Sequence, residues 1–253
     1  MKTRTVFIAC LLLLAASSCT RDGFTIKGTL EGGAGQTLWL EELSPEGPIF
    51  IDSIPINSDG SFKYNYNPPY RSLFNLHTSV DNYIIILPDK GEILEVTGEW
   101  ENLSASYTIK GSPESNLLWQ LQQYTNDGSK ILRTLVGAVN HYQSLLEAGE
   151  IDQAAMDARK AETDSLYQEA AMEQYEYVCR FIEENKGSLS TLIALYKPFN
   201  NRLLIDPRSP VSIDYYDTVL NGLERTLPDN PHTLHFKNST EHLRSALARQ
   251  NEN

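Results

Sequence analysis

Hydrophobic and polar positions follow two different periods along this chain. From Phe24 to about Lys110, short alternating or apolar runs are separated by Gly, Pro, Asn and Asp, which is typical of β-strands joined by turns. We count seven or eight such runs, and Asp59-Gly60 fits one tight turn because this pair tolerates a positive φ. Such regular spacing predicts an antiparallel β-sandwich or an open barrel.

After Gly111 the period lengthens to that of amphipathic helices. Ser112 is a suitable N-cap, and Pro113 suits the first position of a helix. The apolar stripes predict a helix from Pro113 onwards and then helices at Ile151 to Glu184, Leu189 to Tyr196, Ile213 to Leu223 and Leu234 to Leu247. We therefore expect an α+β protein, with a β domain at residues 24–111 and an all-α helical domain at residues 112–253.

The first residues have the features of an export signal. Lys2 and Arg4 precede an apolar run from Val6 to Ala16, which is shorter than the roughly 20 residues that a membrane-spanning helix needs. The following segment, Ala16-Ser17-Ser18-Cys19, resembles the lipobox of bacterial lipoproteins, whose cysteine is acylated. Residues 1–18 are thus predicted to be a lipoprotein signal peptide, Cys19 the lipidation site and residues 19–23 a short tether. Ordinary signal-peptide cleavage nearby is the alternative, since Ala16 stands where lipoboxes prefer Leu.

The net charge and the cysteine content limit the kinds of partner that we expect for this protein. The formal net charge is -12, and no run of Lys or Arg is present, so binding to nucleic acid is not expected. Attachment to a membrane would depend on the acyl chains at Cys19. Removal of Cys10 with the signal would leave Cys179 as the one free thiol. We expect a location in the envelope of a gram-negative bacterium, at the outer rather than the inner membrane.

The strand region also resembles a known family. The motifs that carry the resemblance are Phe24-Thr25-Ile26-Lys27-Gly28, Leu38-Trp39-Leu40, Ile51-Asp52-Ser53-Ile54-Pro55-Ile56, Asp59-Gly60-Ser61-Phe62 and Ile109-Lys110-Gly111-Ser112. They are similar to the β domain of unknown function that commonly precedes thioredoxin-like domains in bacterial lipoproteins. The segment from Phe181 to Asn185 is similar to the helical linker of that family. The resemblance implies a β domain without an assigned function.

Catalytic motifs are not found in the sequence. Relatives in that family commonly continue into a domain with Cys-x-x-Cys, but this chain has no such pair, and one thiol cannot cycle between dithiol and disulfide. His-Glu-x-x-His, Gly-x-Ser-x-Gly and phosphate-loop motifs are also missing. We therefore expect a non-enzymatic binding or interaction module without a cofactor, with a protein partner in the envelope. The alternatives are an accessory of thiol-disulfide exchange and a glycan-binding β domain.

Two groups of residues are candidates for chemistry in the helical part. Cys179 lies among apolar residues of the long helix, which favours a buried structural thiol over one that forms a mixed disulfide with a partner. His232, His235 and His242 lie close together near the last helix, but no Cys or Glu completes a known metal-binding spacing. We expect surface histidines and no metal site.

Aromatic residues are the candidates in the β domain. An exposed strip of aromatic rings can stack on sugar rings or anchor a peptide, whereas alternating aromatic residues in strands usually pack in a core. Both interpretations remain open from the sequence. The predicted binding surface consists of Trp39, Tyr64, Tyr66, Tyr70 and Trp100.

Overall fold

The computed structural model describes residues 22–209 and 212–251, so the predicted signal segment and Cys19 lie outside the described residues. Strands occupy the first part of the chain and helices most of the second. The strands are β1 (Phe24–Glu31), β2 (Thr37–Ser44), β3 (Gly47–Pro55), β4 (Ser61–Tyr66), β5 (Phe74–Ser79), β6 (Asn82–Ile86), β7 (Ile93–Glu99), β8 (Thr108–Lys110), β9 (Pro198–Phe199) and β10 (Arg202–Leu203). The helices are α1 (Leu103–Ser106), α2 (Pro113–Glu147), α3 (Gln153–Asn185), α4 (Ser190–Leu195), α5 (Ile213–Thr226) and α6 (Pro231–Asn251).

The first eight strands form two four-stranded sheets around one hydrophobic core. Their orders are β4-β1-β7-β8 and β3-β2-β5-β6. Ile26 and Val96 from the first sheet and Leu38, Leu40 and Leu76 from the second are completely buried in this core. Each such side chain contributes roughly 1.5–3 kcal/mol by its burial. The predicted α+β fold, with an N-terminal sandwich followed by helices, is confirmed.

One strand pair departs from the expected antiparallel arrangement. β1 runs parallel to β7, with Gly28 opposite Val96. The two strands approach so closely that a Cβ atom at Gly28 would lie 1.7 Å from the carbonyl oxygen of Val96. Parallel pairing needs a long connection, and the chain between β1 and β7 supplies it by forming β2 to β6. Glycine at this position therefore allows the first sheet to form.

Helix α2 begins as the sequence predicts and then pairs with α3. The Ser112 side chain accepts a hydrogen bond from the Ser115 backbone N–H at 3.3 Å, and proline follows the cap. The Tyr124 and Tyr177 rings stack with their centroids 3.6 Å apart, and Gly128 of α2 lies against the Gln174 side chain of α3. These contacts run in opposite directions along the two helices, so α2 and α3 form an antiparallel hairpin.

A short β-hairpin between α4 and α5 was not expected from the sequence. Asn200 and Asn201 both have positive φ, at 48° and 60°, and connect β9 to β10. Asparagine tolerates this conformation better than most residues, so the Asn-Asn pair is the signal that could have revealed the turn. The Leu204 N–H then donates to the Lys197 carbonyl at 3.1 Å. The hairpin thereby holds the backbone of Lys197 in place.

The sandwich and the start of α2 are joined by directional hydrogen bonds. The Leu87 N–H at the end of β6 donates to Ser115 Oγ at 3.0 Å, and the Trp119 indole N–H donates to the Tyr107 carbonyl at 2.9 Å. Leu87 also belongs to the hydrophobic core of the helical part. The sandwich and the helices therefore share a polar and apolar junction, while the domain boundary between residues 111 and 112 stays a prediction.

Candidate functional site

A cavity of about 360 Å³ lies at this junction. Its walls come from β6 and the turn before it, from α1, from α2 and from the segment around α4. This volume is near the lower end of the roughly 300–1,000 Å³ that is usual for small-molecule sites. The lining includes the charged residues Asp81, Lys130, Arg133 and Lys197 and the amide side chains of Gln122 and Asn126.

A chain of hydrogen bonds fixes the orientation of the polar groups in the cavity. The Lys197 ammonium donates to Gln122 Oε1 at 2.7 Å, and Gln122 Nε2 donates to Asn126 Oδ1 at 2.7 Å. Because an ammonium group can only donate, Gln122 must present its oxygen to Lys197 and its amino group to Asn126. Asn126 is then left with its Nδ2 donor without a hydrogen-bond partner among the described residues.

Lys197 lies in an unusual position for a charged side chain. It follows α4 and is only partly exposed, with its ammonium surrounded by protein. Desolvation by burial lowers the pKa of Lys197 from 10.5 to about 8. Within the described part of the chain, no carboxylate lies within ion-pair distance of Lys197 or of Arg133. Perturbed and unpaired lysines in a cavity are frequent at functional sites.

The lining holds two further charged residues, Lys130 and Asp81. Lys130 lies on α2 about one helical turn before Arg133. It is largely exposed and pairs with Asp127 at 2.7 Å. Asp81 precedes β6 and contributes the one carboxylate among the cavity-lining residues. The lining therefore carries three cationic side chains and one carboxylate, although the whole chain has a net charge of -12.

The structure distributes the five predicted aromatic residues over different environments. Tyr64, Tyr66 and Trp100 are half-buried and pack against the sandwich core. Tyr64 and Tyr66 follow Phe62 on one face of β4, because alternate residues of a strand point to the same side. Their rings thus fill the edge of the core, which is the packing interpretation that the sequence left open.

The other two aromatic residues lie elsewhere on the sandwich. Trp39 alternates with buried core residues of β2 and contacts His77 in a tilted arrangement, their ring centroids being 5.7 Å apart. Tyr70 lies in the loop after β4, where burial and then a hydrogen bond to the Glu42 carboxylate raise its pKa. The five residues therefore do not form one continuous exposed strip, and a binding role for them stays a prediction.

Cys179 is where the sequence places it, buried within the helical core. Its exposure is 8%, and hydrogen bonding with Cys179 raises the pKa of Tyr215 on α5. The predicted burial of this thiol is confirmed, and its structural role stays a prediction.

The expectation of surface histidines is wrong for one of the three. His235 and His242 are exposed, but His232 is only 6% exposed because the first turn of α6 packs on the sandwich. There its Nε2 lies 3.0 Å from Ser72 Oγ, and burial lowers its pKa. Among residues 22–209 and 212–251, no group of three or more His, Cys, Asp or Glu is placed to hold a metal ion.

Comparison with known proteins bears on the sandwich and the start of α2. Residues 24–118 match the family model of DUF4369, a domain of unknown function. This DUF4369 region ends at Leu118, a residue that lines the cavity, so one wall of the cavity comes from it. No curated protein and no solved structure gives a significant match. None of the described helices has both the length and the apolar composition needed to cross a membrane.

Sequence reasoning did not identify the residues that line the cavity. Lys197 and Gln122 are 75 positions apart in the chain and meet only because α4 packs beside α2. No spacing motif could have revealed this contact. The single local signal is that Lys197 lies two residues after the largely buried helix of residues 190–195, so its side chain stays close to buried surface.

Proposed function

We propose that this protein is a lipid-anchored, non-enzymatic binding module of the gram-negative cell envelope, and that its ligand occupies the cavity between the sandwich and the helices. The observation that carries this proposal is the Lys197–Gln122–Asn126 hydrogen-bond chain along the cavity wall. Polar groups held in fixed orientations before a ligand arrives lose little conformational freedom on binding. This is the usual design of a recognition site.

Binding rather than catalysis agrees with the surroundings of Lys197. Its one hydrogen-bond partner among the described residues is the Gln122 amide, which is neither a general acid nor a general base. Thiol chemistry receives no support from the structure, since a Cys179 side chain that is 8% exposed offers little surface to a partner disulfide.

The proposed anchoring is supported by the sequence of the first residues. A basic start, a short apolar run and the Ala16-Ser17-Ser18-Cys19 segment are typical of lipoprotein export. Acyl chains at Cys19 would tether the body close to the membrane, because β1 begins shortly afterwards at Phe24. The outer membrane is the proposed location, and a protein partner in the envelope is compatible with a cavity that serves a small molecule.

Filling the cavity tests the proposal. Ala105 of α1 is exposed and lines the cavity, so Ala105→Trp places an indole there without displacing a core residue. Ala154→Trp, on an exposed position of α3 outside the lining, is the matched control. Native mass spectrometry of protein purified from the host's membranes should show a small molecule bound to wild type and to the control but not to Ala105→Trp. A ligand retained by Ala105→Trp would place the binding site elsewhere.

A further inference from the structure

The cavity presents more hydrogen-bond donors than acceptors along one wall. Gln122 uses its oxygen for Lys197 and its amino group for Asn126, so the chain ends at the free Asn126 Nδ2 donor. The Lys197 ammonium has two further N–H groups besides the one that Gln122 accepts. A ligand that completes this wall must therefore supply acceptor oxygens.

The charge of the cavity points in the same direction. Lys197 and Arg133 have no carboxylate partner within the described residues, whereas Lys130 in the same lining pairs with Asp127. Leaving a cation desolvated without a counter-ion is unfavourable, and an anionic ligand would remove that cost. Charged hydrogen bonds to an anion are also about twice as strong as neutral ones.

We infer that the cavity takes a small organic anion, whose carboxylate or phosphate oxygens accept hydrogen bonds from Lys197, Asn126 and Arg133. This inference rests on the proposed function and specifies the ligand class of the same site. Ile84, Ile85 and Ile193 in the lining provide apolar surface for the remainder of the molecule. Lys197 is a partly buried donor whose backbone is held by the β9–β10 hairpin, and Arg133 on α2 is an exposed donor of the same lining.

Three probes with one scaffold separate charge from shape. Glucuronate carries a carboxylate, glucose 6-phosphate carries a phosphate, and glucose is neutral. We expect at least one of the two anions to bind at millimolar concentration in isothermal titration calorimetry, and glucose not to bind. Binding of glucuronate alone identifies a carboxylate ligand, and binding of glucose 6-phosphate alone identifies a phosphate ligand.

Substitutions locate the binding of these probes. Lys197→Met should weaken binding of the anion at least about tenfold, because it removes one charged hydrogen bond. Lys160→Met makes the same change in net charge at an exposed site on α3 and should leave the affinity unchanged. Arg133→Gln, at an exposed residue whose loss does not threaten folding, should weaken binding independently.

The outcomes distinguish this inference from the proposed function. Equal binding of glucose and the anions, abolished by Ala105→Trp, would retain the cavity as the site and overturn the anionic class. Binding of neither anion would also overturn the anionic class, while a molecule that copurifies with wild type but not with Ala105→Trp would still support the cavity. Anion binding that Lys160→Met weakens as much as Lys197→Met would reflect net charge and contradict the inference.

Discussion

Lys197 is expected to reduce the stability of the folded protein at neutral pH. Because burial lowers its pKa from 10.5 to about 8, the folded state binds the Lys197 proton less readily than the unfolded chain does. Between those two pH values the unfolded state carries more protons, so the free energy of unfolding rises with pH. The buried ammonium therefore lowers the free energy of unfolding most at pH 7, and this destabilisation is gone above pH 10.5.

The magnitude follows from the same shift. A difference of about 2.5 between 10.5 and about 8 corresponds to roughly 3 kcal/mol at 1.36 kcal/mol for each pKa unit. Partial exposure of the side chain reduces this figure, so we expect about 1–3 kcal/mol. In Lys197→Met the methionine does not titrate. The hydrogen bond to Gln122 is stronger from the ammonium at pH 7 than from the neutral amine at high pH, so its loss offsets part of the gain and places the expected difference in the lower part of this range.

Urea unfolding at pH 7 and at pH 10.5 measures this effect. The stability of Lys197→Met relative to wild type should be more favourable at pH 7 than at pH 10.5 by about 1–3 kcal/mol. Lys160→Met, at an exposed position, should show no such change with pH. If the relative stability of Lys197→Met were the same at both pH values, the lysine would not be desolvated and the reasoning would be refuted.

Three further predictions concern other parts of the molecule. Burial lowers the pKa of His232, so the stability that the neutral imidazole contributes is present above the unfolded value of about 6.5 and declines at lower pH. In urea unfolding, His232→Gln should therefore lose less stability between about pH 7 and pH 5 than wild type does. Equal losses in the two proteins would contradict the burial of His232. Gly28→Ala should destabilise the sandwich by about 1–3 kcal/mol or more in thermal unfolding because its Cβ would overlap the Val96 carbonyl. In contrast, Gly137→Ala, on the open side of α2, should stabilise by about 0.5–1 kcal/mol, and equal effects of the two would refute the β1–β7 pairing. Cys19→Ser should move the protein from the membrane pellet to the soluble fraction after alkaline washing, and an unchanged pellet would disprove lipid anchoring at this residue.

The fold could largely be predicted because local periodicity decides it. Alternation in residues 24–110 gave the strands of the sandwich, and the Ser112-Pro113 pair gave the start of α2. The parallel β1–β7 pair escaped prediction, since strand direction depends on which distant strands meet. The one local sign of this pairing in the sequence is Gly28, because the lack of a side chain there leaves room for the Val96 carbonyl.

The candidate site could not be predicted in the same way. Gln122 belongs to α2 and Lys197 to the segment after α4, and no local pattern links the two residues. Their roles depend on tertiary packing, as does the burial of His232 against Ser72. The packing of Tyr64 and Tyr66 against the core also depends on tertiary structure, because the sequence left core packing and a binding surface open for them.

The pKa of Lys197, measured in the free and ligand-bound protein, tests the central claim most directly. Selective ¹³C labelling of the lysine Cε atoms allows each unmodified side chain to be titrated by NMR, and Lys197→Met assigns the signal. We predict a pKa of about 8 in the free protein and a higher value with saturating glucuronate or glucose 6-phosphate, since an anion stabilises the ammonium. A pKa near 10.5 that neither anion changes would contradict a desolvated cation awaiting an anionic ligand in this cavity.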